Sequence, residues 1–360
     1  MVRFVTWVST VVMVIAVFPV ATAGQSAGQP AGQPPPFTPS IKVGVTIFAD
    51  YTITETPKAT DANGDAVTAN AFNVARSYIN VTGAVTPRIT FRITPDIARA
   101  TDGSLSGSQI FRLKYAYFDV ALPHRTSVRF GMQQTPFIDG QESVYRYRFQ
   151  GTSFAERDGG LASSDIGITA RTALGDYGDV HVGIYNGDGY SRAEVNDQKA
   201  LMARVTVRPA PTHDIAKGLK VTGYLHKDDY VDGAPRNRAV LSATFEHARF
   251  NAGADYVRRV DQPTPAAAEV TGQGYSFFVT PFLKEKGNGL EALLRFDRFE
   301  PNTIVDAAWT RVIAGAAYWF PRQGSATAAL LLNLEQVTYD RFVPTRPTER
   351  RIGLYSLINF

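Results

Sequence analysis

From Ile41 to the last residue the chain alternates apolar and polar positions with a period of two. Val43, Val45 and Ile47 share one side, with Lys42, Gly44 and Thr46 on the other. Ile89, Phe91 and Ile93 alternate with Arg88, Thr90 and Arg92, and Val128, Phe130 and Met132 with Ser127, Arg129, Gly131 and Gln133. The pattern continues through Ile166, Ile168 and Ala170, through Leu201, Ala203, Val205 and Val207, and on to Leu330, Leu332 and Leu334. A period of two sends successive side chains to opposite faces of a strand, so each segment predicts a strand with one apolar face. About sixteen such segments occur, most about ten residues long, which is the length a tilted strand needs to cross a bilayer's hydrocarbon core. No segment of useful length has the period of a helix, and no repeat extends beyond the hairpin.

Turn signals separate the strands. Thr82-Gly83, His247-Ala248 and Lys286-Gly287-Asn288-Gly289 are short, whereas Glu55 to Ala71, Gln134 to Ser163, Asn186 to Gln198 and Asp261 to Gln273 are long and polar. Short turns at one end and long loops at the other describe a membrane barrel, with the short turns periplasmic. A secreted β-sandwich also alternates. Here, however, nearly every non-apolar face contains charge, which a packed core would leave unpaired and a wet lumen accepts. The predicted fold is therefore all-β, a transmembrane antiparallel β-barrel of about sixteen strands over residues 41–360.

The N-terminus fits an exported chain. Arg3 precedes a mainly apolar run from Phe4 to Val20 that ends in Ala21-Thr22-Ala23, the order of a secretory signal, so residues 1–23 are read as a signal peptide cleaved after Ala23. As a membrane anchor the run is barely long enough and has a single basic flank residue. Residues 24–40, rich in Gly, Gln and Pro, predict an extended leader with little to bury. The absence of Cys excludes a lipid-modified cysteine, disulfides and a thiolate metal site. Arg outnumbers Lys by about three to one, which suits recognition of anions, and the bases are spread along the chain in a way that argues against a nucleic-acid partner.

At the C-terminus Ile352, Leu354, Ile358 and Phe360 lie on one phase, interrupted by Ser356. A terminal Phe on an alternating strand resembles the signal read by the barrel-assembly machinery of the outer membrane, which makes Phe360 and Ile358 candidate assembly residues. FNVARSYINVTGAVTPRITFRITPDI (Phe72 to Ile97), LKYAYFDVAL (Leu113 to Leu122), VRFGMQQTPF (Val128 to Phe137) and VGIYNGDGY (Val182 to Tyr190) resemble the phosphate-selective porin O and P family. Gly131 and Thr135-Pro136-Phe137, leading into a long loop, are similar to what that family shows in the same order. The resemblance implies a sixteen-stranded outer-membrane porin, commonly trimeric, with a long loop folded inward to narrow the pore. Its partners would be outer-membrane lipid, the assembly machinery, further copies of the chain in a homotrimer, and small anionic or polar solutes. The ladder of arginines with one deep lysine carried by phosphate-selecting members does not align here residue by residue, which leaves the solute open.

Phase assignment strand by strand puts fourteen bases on the lumen face: Lys42, Arg88, Arg92, Arg112, Lys114, Arg129, Arg171, Arg204, Arg208, Lys220, Arg238, Arg295, Arg311 and Arg351. It puts seven acids there: Asp50, Asp165, Glu246, Asp255, Glu291, Asp297 and Glu335. An excess of fixed positive charge in a low-dielectric wall concentrates anions, although Arg–acid pairs that only brace the wall are an equal reading. Val144 to Phe149 falls in the long segment after the alternating residues Val128 to Gln133. If extended, it places Arg146 and Arg148 on one side and Tyr145 and Tyr147 on the other, a candidate constriction that also reads as an interfacial anchor. An outer-membrane enzyme and a non-conducting structural barrel are the alternatives. His124, His181, His213, His226 and His247 are scattered without metal-ligand spacing, and no Ser has a G-x-S-x-G setting, so neither a metal, a cofactor nor a catalytic residue is predicted. Asp188 in Asn186-Gly187-Asp188-Gly189 reads as a turn and not as a calcium loop.

Overall fold

The period-two alternation resolves into sixteen antiparallel strands in a computed structural model that describes residues 37–100 and 103–360. The predicted signal peptide and leader residues 24–36 lie outside the described residues. The strands are β1 (Ser40–Thr60), β2 (Ala66–Ala84), β3 (Ile89–Arg99), β4 (Gln109–Leu122), β5 (Thr126–Gln134), β6 (Ser164–Ala173), β7 (Gly178–Tyr185) and β8 (Ala200–Val207). They continue as β9 (Leu219–Lys227), β10 (Arg236–Glu246), β11 (Phe250–Asp261), β12 (Val270–Pro281), β13 (Gly289–Glu300), β14 (Ala308–Trp319), β15 (Thr327–Asp340) and β16 (Glu349–Asn359). Each pairs with its sequence neighbours and β1 pairs with β16, so the sheet closes and leaves no free edge. At the seam, Val45 N–H donates to the Phe360 carbonyl at 2.8 Å and Phe360 N–H to the Val45 carbonyl at 3.0 Å.

The outer face is apolar: Phe130, Ile168, Leu201, Leu241, Leu332 and Leu354 all stand exposed on it, ready for lipid. Among the described residues no helix is long and apolar enough to cross a membrane. Gly131, on β5, has φ of 121°, and a Cβ built there would lie 2.3 Å from the Ala116 carbonyl on β4. Gly131→Ala should therefore weaken the β4–β5 pairing by about 1–3 kcal/mol. The check is the temperature at which the folded, fast-migrating band is lost on a gel; an unaltered temperature would mean that the pairing yields at no cost.

Two features depart from simple alternation. The β3–β4 register shifts between Thr94 and Pro95, which face Tyr115 and Leu113 respectively and leave Lys114 without a partner in the ladder. Pro95 has no N–H to give, and a bulge is where a sheet tolerates that. Lys114 and Tyr115 consequently both point inward, and Tyr117 and Asp119 follow, where strict alternation would have sent them to lipid.

The second departure is inside the barrel. The inward faces read from sequence as polar and charged, but two apolar clusters line them, because residues 135–163 fold into the lumen and pack there. One joins Tyr145, Tyr147 and Phe149 of that segment to Phe48, Leu331 and Trp319 of the wall. The other joins Phe137, Ile138 and Phe154 to Met202, Tyr224 and Phe299.

Candidate functional site

Residues 135–163 leave β5 and return to β6 through a narrow neck, where Thr135 Oγ1 donates to the Ala162 carbonyl at 2.6 Å. Within the loop are α1 (Ile138–Tyr145) and α2 (Phe154–Arg157), the latter started by Ser153, whose Oγ accepts from the Glu156 amide. The loop is fixed across the lumen to the wall formed by β11, β13 and β15. Asn251 Nδ2 donates to the Val144 carbonyl at 2.9 Å, Arg295 to the Thr152 carbonyl at 3.0 Å and Gln150 Nε2 to Glu335 at 3.1 Å, while Arg157 pairs with Asp297.

The candidate constriction residues sit in this loop, but the extended arrangement is corrected. α1 runs through Tyr145, and Arg146 caps it in the left-handed region at φ of 62°, so the two tyrosines do not share a side of a strand. Both are buried in one cluster with ring centroids 6.2 Å apart. Tyr147 donates to Glu291 at 2.8 Å and accepts from Trp319 Nε1 at 3.3 Å. Arg146 pairs with the same Glu291 and lies 4.8 Å above the Trp319 ring. Arg148 is held between Glu142 at 2.8 Å and Glu156 at 3.5 Å. The hydrophobic alternation of Val144 to Phe149 thus reflects a buried turn, since every second residue packs on the wall whatever the backbone conformation.

The inferred lumen wall is partly corrected as well. Arg88 lies in the turn between β2 and β3, exposed, and not on a strand. Arg112 shares the fully buried Asp96 with Arg76, at 3.1 and 2.7 Å. Arg129 pairs with Asp119 at 2.9 Å, and Arg171 and Arg204 share Asp179. Lys220, Arg238, Arg295 and Arg311 pair with Glu246, Asp261, Asp297 and Glu335. The two-to-one excess of bases shrinks accordingly, because Asp96, Asp119, Asp179 and Asp261 belong to the same face. Arg92 and Lys114 differ: among the described residues neither has a carboxylate partner. Arg92 donates to Asn80 Oδ1 at 2.8 Å and Thr94 Oγ1 at 2.9 Å, and Lys114 reaches only the Tyr78 hydroxyl, at 3.4 Å.

Arg76, Tyr115, Tyr117 and Asp119 escape a reading by strict alternation because bulges in β2 and β4 reset the phase; Pro95 is the signal that marks the second. Tyr190 was legible only as part of a turn. In the fold the 186–199 loop bends inward so that its hydroxyl lies 3.0 Å from Arg112. Below the 135–163 loop, Arg171, Arg204, Arg208 and Lys220 line a cavity of about 200 Å³ together with Thr206 and Thr222. His226 and Asp228, 3.6 Å apart, are the only histidine–carboxylate pair among the described residues, and His226 Nε2 has no hydrogen-bond partner that would serve as a nucleophile. No group of potential metal ligands occurs among the described residues.

The model of the phosphate-selective porin O and P family matches residues 41–323. Among curated proteins none matches the chain by sequence. Among solved structures, the fold is similar to an anion-selective porin from Comamonas acidovorans at TM-score 0.63 and 13% identity, covering 89% of this chain and 99% of that one. A loop-deletion mutant of OmpT, an outer membrane protein of Vibrio cholerae, is similar at TM-score 0.62 and 12% identity, covering 89% and 99%. The outer membrane channel DcaP of Acinetobacter baumannii is similar at TM-score 0.58 and 11% identity, covering 89% and 97%.

Proposed function

The chain belongs to the phosphate-selective porin O and P family and is an outer-membrane porin, and from that premise we propose that it passes small anions passively through a lumen narrowed by the 135–163 loop. The observation that carries this reading is the pair Arg92 and Lys114. Among the described residues neither is paired with a carboxylate, Lys114 lying buried against the Tyr78 ring, and a low-dielectric wall extends the reach of an unpaired charge. Arg112 and Arg129 would add to it, with Arg171 and Arg204 continuing the basic lining toward the short-turn end. In the constriction itself Arg148 would face the passage while Arg146 braces the loop through Glu291, with Tyr145 and Tyr147 as its apolar anchor. Reversal potentials of the purified porin in a potassium chloride gradient test this: anion selectivity is expected, and a cation-selective pore would overturn it. Solute specificity need not be phosphate, since the wall bases do not form an unbroken ladder.

The working unit would be a homotrimer embedded in outer-membrane lipid, with no catalytic step and no cofactor. Delivery would use the barrel-assembly machinery through Ile358 and Phe360. Phe360 also closes the β1–β16 seam through both of its backbone hydrogen bonds to Val45. Deleting it should reduce the folded barrel recovered from the outer membrane by several-fold and leave chains open to periplasmic proteases. Equal recovery of heat-modifiable barrel would count against an assembly role.

A further inference from the structure

Four bases on the inner wall of β3, β4 and β5 each lie against a tyrosine ring. Arg92 Cζ is 4.5 Å from the centroid of Tyr115, Arg112 Cζ 4.7 Å from Tyr190, Lys114 Nζ 4.9 Å from Tyr78 and Arg129 Cζ 4.1 Å from Tyr117. The arrangement is built and not incidental, because it needs the β4 bulge to bring Tyr115 and Tyr117 inward and an inward loop to supply Tyr190. Tyr115, Tyr117 and Tyr190 are half-buried, so each keeps some exposed surface.

A cation held over a ring keeps a fixed direction, and the guanidinium N–H groups not already given to Asn80, Thr94, Asp96, Tyr190, Asp119 and Gln134 are left to meet a carboxylate. Two of the four bases already share charge with Asp96 and Asp119, which weakens the hold on a small, strongly hydrated anion. A solute that couples a carboxylate to a flat ring would gain twice, once from a guanidinium edge and once from stacking on a tyrosine. We propose that this row of base–tyrosine pairs makes the pore prefer aromatic carboxylates to aliphatic carboxylates of equal size and charge. The inference rests on the anion-preferring reading above and adds the solute class to it.

The test compares benzoate with cyclohexanecarboxylate, which matches it in charge and nearly in volume but has no π face. Block of chloride current through single pores in planar bilayers gives an affinity for each. Benzoate should bind about fivefold more tightly, the range expected of an aromatic contact. Replacing Tyr115, Tyr117 and Tyr190 together by Leu should bring the ratio to about one, and replacing them by Phe should restore it. If the triple leucine variant does not insert, Tyr117→Leu and Tyr190→Leu taken singly should each lower the ratio. An anion-selective wild type that blocks equally with both acids would overturn this inference and leave the anion reading intact. A leucine variant that keeps the wild-type ratio would also overturn it, and a cation-selective wild type would remove both.

Discussion

Replacing Arg92 and Lys114 by glutamine in one chain is expected to move the reversal potential of the pore strongly toward cations. Among the described residues neither base has a carboxylate partner, and glutamine keeps a neutral, hydrogen-bonding side chain, somewhat shorter, beside Asn80, Thr94 and Tyr78. The substitution therefore removes charge while keeping a polar group at each position. A unit charge about 8 Å from a passing ion contributes about 0.5–2 kcal/mol at an effective dielectric constant between that of protein and that of water. Two of them should change the anion-to-cation permeability ratio by about tenfold. The effect should fade as salt approaches about 1 M, where the screening length is about 3 Å. A ratio that is unchanged at low salt would place the selecting charges elsewhere. The paired arginines should behave differently: Arg146→Gln with Arg148→Gln strips Glu291, Glu142 and Glu156 of their counter-charges, so its first effect should be on the loop.

The largest effect on the loop is expected from Glu291→Ala. Glu291 accepts from Arg146, from the Tyr147 hydroxyl at 2.8 Å and from the Gly287 amide at 2.6 Å, and its side chain is wholly buried. Its removal leaves a mostly buried guanidinium without a counter-charge, a situation that costs about 3–5 kcal/mol when one partner of a buried pair is lost. The backbone ladder of the barrel is not involved, so the sheet should stay closed while the 135–163 loop loses its seat. Single channels should then show larger and noisier currents, and limited proteolysis should cut within the loop in detergent. Quiet channels with an uncut loop would show that the apolar contacts alone suffice. Glu291→Gln, which preserves shape and some hydrogen bonds, should fall between the two.

Strand number and closure were legible because lipid on one side and water on the other impose opposite demands on neighbouring residues. The ends of strands were less so. Glu55 to Ala71 reads as a loop, yet β1 continues to Thr60 and β2 resumes at Ala66. A hairpin that stands clear of the bilayer has water on both faces, and its side chains need not alternate. Thr82-Gly83 likewise falls inside β2, with the turn just beyond Ala84. The same logic explains the site. Arg92, Arg112 and Lys114 followed from phase, whereas Tyr115, Tyr117 and Asp119 did not, since one extra residue in a ladder inverts every position after it. The partner of Arg146 lies outside any local pattern: Glu291 is 145 positions away.

The loop's apolar seat has a bearing on the order in which the molecule is made. Phe149 lies 6.4 Å from Phe48 of the first strand and 6.1 Å from Trp319 of the fourteenth, and Tyr355 of the last strand completes the same cluster. The loop is synthesised before half of these partners exist. Until β13 to β16 are in place, Tyr145, Tyr147 and Phe149 lack the side of their cluster that Leu293, Ile313, Trp319, Leu331 and Tyr355 supply. The loop can therefore seat fully only when the first and last strands are both present. A product cut short before β13 would display those rings in the periplasm as a sticky patch, the kind of surface on which chaperones and proteases act.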